Sequence, residues 1–128
     1  IVMSLVTPLK KASGLGSAKA GTHHWWMQRV TAVALVPLTL WVAFTVAALS
    51  DKDYATTLTY FSSPFSAAMF SLFIFTAFYH AALGLQVVIE DYVHNEGVKI
   101  GALIGMKLFL ALTGATSIIA VLLAAFGS

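Results

Sequence analysis

With 128 residues, 59% of them hydrophobic and only 9% charged, the chain carries too few charges for a soluble domain, which averages about 25%. A mean hydropathy of +0.90 places it among integral membrane proteins, and the length allows one domain. The lack of cysteine excludes a disulfide framework, a thiolate zinc site and an iron–sulfur cluster held by this chain. The net charge of +2 comes from few basic residues, mostly N-terminal, which is a topology signal rather than a nucleic-acid footprint.

Residues 1–22 read as a flexible N-terminal tail. They lack an apolar run followed by a small-residue cleavage site, so no signal peptide is evident. Lys10, Lys11 and Lys19 among serine, glycine and alanine loosely imitate a transit peptide; a cytoplasmic tail is the reading adopted. Residues 23–128 then form one three-helix unit, with helices expected over about 24–49, 64–92 and 98–126, each reaching the roughly 20 residues needed to span a bilayer core.

Trp25, Trp26 and Arg29 open the first helix. The tryptophans suit an aromatic belt. Arg29 suits either an interfacial snorkelling cation or a forked pair with a carboxylate. His23 and His24 could also meet such a group, on weaker grounds. Pro37 frees a carbonyl inside the span and invites a kink. The stretch from Ser50 to Pro64 reads as a loop, and Ser63-Pro64 as an N-cap followed by proline at the first helical position. Asn95-Glu96-Gly97 reads as a polar break before the third helix. There Gly101 and Gly105 make a GxxxG pair suited to close packing, and Lys107 lies deep enough to require snorkelling.

Lys10, Lys11, Lys19 and Arg29 precede the first span, and Lys99 lies between the second and third. The Ser50–Pro64 stretch sets Lys52 against Asp51 and Asp53. The positive-inside rule therefore puts the N-terminus and the Glu90–Lys99 connection on the cytoplasmic side, or the matrix side in a mitochondrion. A bacterial inner membrane is the expected location. On that topology Arg29, His23, His24, Asp91 and Tyr92 are expected as neighbours at one surface, with His80 below them near mid-membrane.

The second helix holds the most informative pattern. An ionisable group inside a span is expensive, about 2.5–3.5 kcal/mol for an Asp at a helix centre, and is a functional suspect. His80 stands alone in an apolar run that ends in Glu90-Asp91-Tyr92. Eleven helical residues turn through about 1100° and rise about 16 Å, so His80 and Asp91 share a face. A neutral imidazole at this depth could ligate haem iron, join a proton path, or hydrogen-bond a neighbouring helix. Gly84, one turn along, would let a flat macrocycle or another helix approach.

Tyr92 suits an interfacial anchor or a hydrogen-bond donor to a quinone carbonyl. Asp91 suits a solvated acid at a helix end, or a group that orients a cation or relays protons. Glu90 and Asp91 oppose the macrodipole at the helix C-terminus and ask for a compensating cation, for which Arg29 is on the correct side.

Two motifs, Gln28-Arg29-Val30-Thr31-Ala32-Val33-Ala34-Leu35 and His80-xxx-Gly84 followed by Asp91-Tyr92, carry a resemblance to the hydrophobic membrane anchor subunits of succinate dehydrogenase (complex II). The resemblance runs from about Gly21 to the C-terminus and is to the smaller of two paired three-helix anchors. The larger, the cytochrome b556 subunit, typically opens with Ser…His-Arg-x-Thr-Gly, where this chain has Gln28-Arg29-Val30-Thr31-Ala32. The family implies an all-α membrane protein whose three transmembrane helices pack with a second three-helix anchor around a haem b. His80 would be one axial ligand of the haem iron, the other coming from the cytochrome b subunit, and Arg29 would face the propionates.

In the same reading Tyr92 would hydrogen-bond ubiquinone, the substrate, with Asp91 supporting it. The iron–sulfur and flavoprotein subunits would complete an enzyme of the tricarboxylic acid cycle and electron transport chain. No catalytic residue is expected in this chain, and no nucleic acid among its partners. Two other functions compete: a small proton channel or transporter relaying through His80 and Asp91, and a structural anchor without cofactor.

Overall fold

The computed structural model describes the backbone of residues 2–127 and the side chains of residues 21–127. Most of the expected tail, with Lys10, Lys11 and Lys19, lies outside the described side chains. Four helices follow in order: α1 (Val2–Leu49), α2 (Tyr54–Phe61), α3 (Pro64–Tyr92) and α4 (Glu96–Phe126), with no strand among the described residues. Among the described residues, three segments are long and apolar enough to cross a membrane: Gly21–Leu49, Pro64–Tyr92 and Glu96–Phe126.

The helix ends follow local chemistry. α3 begins with Pro64 at its first position after an extended Ser63, where a missing amide proton costs nothing; Ser63 makes no side-chain cap. The break before α4 is shorter than expected, because Asn95 caps the helix by accepting from the Val98 amide at 3.0 Å, leaving Glu96 and Gly97 inside the first turn. α1 runs through Pro37 without interruption.

The stretch read as a loop between Ser50 and Pro64 contains α2. Asp53 caps it, accepting from the Thr56 amide at 2.9 Å. Hydrogen bonds from the Thr56 side chain and amide hold the Asp53 carboxyl below its usual range. The cap is therefore charged above ordinary carboxylate values and is lost only as pH falls through the lowered one.

α3 is the central helix, packed against α1 on one side and α4 on the other, while α2 lies against α4 and α3. At the end nearest α2 an aromatic cluster joins three helices. Trp41 of α1 meets Phe65 and Phe70 of α3 edge-on at 6.3 and 5.0 Å, and Phe61 of α2 lies 4.7 Å from Phe70. The Thr45 and Tyr60 hydroxyls share a 3.3 Å hydrogen bond beside it. Along α3–α4 the close approach is at Gly114, where an added Cβ would come within 3.3 Å of Phe78 Cγ. Gly101 and Gly105 face open space instead, so the GxxxG pair does not pack within this chain.

Among the described residues, the buried apolar side chains are Leu38, Ala67 and Ala125. Large side chains such as Val33, Phe44, Leu108 and Leu112 stand well exposed. In a soluble monomer such surface would be an anomaly; in membrane-spanning helices it is the expected surface.

Candidate functional site

The site lies between α1 and α3. Residues 24, 28 and 31 recur at the i, i+4, i+7 spacing that makes one helical stripe, and His24, Gln28 and Thr31 are the polar members of that stripe on α1. Thr31 is buried, and its Oγ1 stands 2.9 Å from His80 Nδ1. The same hydroxyl lies 2.6 Å from the Met27 carbonyl and 3.1 Å from that of Gln28. His80 Nε2 has no hydrogen-bond partner among the described residues.

One turn above, Gln28 fills the space beside Gly84, its Nε2 lying 3.8 Å from where a Cβ on Gly84 would stand. Gln28 Oε1 and His24 Nε2 are buried without a partner among the described residues. Two orphaned polar atoms on one stripe are unusual, since buried polar groups normally pair. The sequence singled out His80 and Gly84. It gave no role to Gln28 or Thr31, although both lie in the first quoted motif, and their spacing from His24 was the available signal.

Arg29 departs from expectation. Its guanidinium lies over the Trp25 ring, 5.0 Å from the centroid, and among the described residues it forms no ion pair with Glu90 or Asp91. Helix register explains this. The Thr31–His80 contact fixes α1 against α3; Arg29 is two residues, about 3 Å, above Thr31, while Asp91 is about 16 Å above His80. The gap of about 13 Å exceeds the reach of an arginine. Two residues also turn about 200°, which points Arg29 away from α3. Glu90 takes a weaker partner, the Gln86 amide at 3.3 Å.

Asp91 and Tyr92 end α3 and are exposed, Tyr92 at 77%. Trp25 and Trp26 are also exposed and meet edge-on at 5.1 Å. Lys107 lines a largely apolar cavity of about 370 Å3 with Phe75, Phe78, Tyr79 and Gly114. This cavity lies between α3 and α4, and His80 is not part of its wall. No cluster of three or more metal-ligating side chains occurs among the described residues.

Among the described residues, three helices long and apolar enough to cross a membrane, with a histidine held near the middle of one by a neighbouring helix, define a helical membrane protein. The match to the family of succinate dehydrogenase/fumarate reductase transmembrane subunits covers residues 3–125, and the chain belongs to that family. Among curated relatives, the succinate dehydrogenase hydrophobic membrane anchor subunit of Rickettsia bellii is 39% identical over 111 residues, 87% of this chain and 89% of that protein. The subunit of the same description from Paracoccus denitrificans is 37% identical, covering 84% and 82%. The succinate dehydrogenase membrane anchor subunit of Reclinomonas americana is 34% identical over 64% of this chain. The chain is thus a membrane anchor subunit of succinate dehydrogenase, a non-catalytic member that works with the other subunits of the complex.

Proposed function

We propose that the chain binds haem b together with a cytochrome b anchor subunit and contributes to a ubiquinone-reduction site. The observation that carries the haem is the state of His80: Nδ1 engaged by Thr31 and Nε2 without a partner among the described residues. A neutral imidazole with one free nitrogen is what haem iron requires of an axial ligand. The family resemblance implies that the partner anchor would supply the other ligand. The haem would supply a one-electron redox centre. Arg29, exposed and with no ion pair among the described residues, would pair with its propionates.

Tyr92 would donate a hydrogen bond to a ubiquinone carbonyl from the membrane surface, with Asp91 beside it to orient polar groups and pass protons. Electrons would arrive from an iron–sulfur subunit fed by a flavoprotein subunit. The positive-inside rule supports an N-terminal tail over residues 1–22 and the Asp91 end on the cytoplasmic side of a bacterial inner membrane, with residues 23–128 as the anchor unit.

The test is the dithionite-reduced minus oxidised optical spectrum of the purified complex, native and His80→Ala. A b-type signal lost or shifted in the variant is expected. An identical signal in both would place the ligand elsewhere, and a native complex with no b-type signal but full succinate–quinone activity would remove the haem while keeping the anchor.

A further inference from the structure

We infer that Thr31 is the positioning residue of the haem site: its hydroxyl fixes the tautomer of His80 so that Nε2 presents its lone pair, and it tunes the electron density of that ligand. The inference rests on the haem reading above. It is carried by three distances around one hydroxyl. Thr31 Oγ1 lies 2.6 Å from the Met27 carbonyl, 3.1 Å from the Gln28 carbonyl and 2.9 Å from His80 Nδ1.

A hydroxyl has one proton to donate and two lone pairs to accept with. An oxygen–oxygen separation of 2.6 Å is at the short end of O–H···O hydrogen bonds and needs a proton between the atoms. If the hydroxyl proton went to Nδ1 instead, the Met27 and Gln28 carbonyls would both face Thr31 Oγ1 with lone pair against lone pair. The hydroxyl proton therefore belongs to the Met27 carbonyl, and the proton on the 2.9 Å contact comes from the imidazole. His80 is the Nδ1–H tautomer, and Nε2 is left as the acceptor.

The arrangement is a chain, Nδ1–H to Thr31 Oγ1 and Thr31 O–H to the Met27 carbonyl. Each bond polarises the next. Partners on the outer nitrogen of a metal-bound imidazole fix its orientation and raise its basicity. A more basic axial ligand favours ferric over ferrous iron. Thr31 is buried, so water cannot readily take over the role when the hydroxyl is removed.

The experiment uses the assembled complex carrying Thr31→Val, Thr31→Ala or Thr31→Ser. The haem midpoint potential is read by optical redox titration, and the low-spin ferric signal by electron paramagnetic resonance. Valine and alanine should both raise the midpoint and change the g-anisotropy, as the ring loses its donor bond and its fixed angle. Serine should restore both toward native values. A hydroxyl that served only helix packing would lower thermal stability and leave both haem signatures in place, which would overturn the inference with the haem reading intact. If T31V does not assemble, the alanine–serine pair decides the matter by itself. A native complex without a b-type signal would overturn the inference together with the reading beneath it.

Discussion

A threonine in a membrane helix ordinarily bonds back to the carbonyl three or four residues earlier, and Thr31 does so. What separates it from Thr113, which bonds back to Phe109 in the same way, is a second partner across a helix interface. That partner depends on the register of α1 against α3, which no single-chain pattern encodes. His80 was legible because a lone imidazole in an apolar run is costly; Thr31 was not, because its hydroxyl costs nothing in a helix that can satisfy it locally. The expected pairing of Arg29 with Glu90 or Asp91 failed for the same reason, since sharing a side of the membrane does not mean sharing a depth. Tyr92 is exposed at the end of α3, and on the proposed function it would meet a quinone there. Losing one neutral hydrogen bond costs about 0.5–1.5 kcal/mol, so Tyr92→Phe should lower kcat/KM for ubiquinone about two- to tenfold. Succinate oxidation with an acceptor that bypasses the quinone site should stay unchanged; an unaltered ubiquinone kcat/KM would count against the role of the phenol.

Element by element, length and apolar content identified the three spans; Pro64 at the first position of α3 and the Asn95 cap set the starts of the second and third. α2 was hidden because eight residues rich in threonine and tyrosine read as a polar connection, although Asp53 is a sound N-cap. The glycines show where local pattern misleads. Gly101 and Gly105 have the packing spacing yet meet nothing within 4 Å, while Gly114, in no motif, admits the Phe78 ring. Helix approach is decided by the neighbour present, not by the spacing of small residues alone. Gly114→Leu should drive a side chain into Phe78 and destabilise the α3–α4 contact by the 1–3 kcal/mol typical of overpacking. It would be read as a lower apparent Tm of the purified complex, and an unchanged Tm would show that this contact yields freely.

For the whole molecule, the fold makes sense as one part of an assembly. Buried apolar residues number three among those described, and each span turns most of its surface outward. Class, span number and family were readable from composition and two motifs, because membrane physics limits a chain of this kind to few solutions. The second half of the proposed haem pocket was not readable, because on that proposal its residues would belong to another subunit.

The most direct test is the near-infrared magnetic circular dichroism of the oxidised complex, native and His80→Met, since the charge-transfer band of low-spin haem reports the chemical type of both axial ligands. With His80 Nε2 on the iron, the band moves in the variant as a thioether replaces an imidazole. A band at the same position in both proteins would show that His80 is not the ligand.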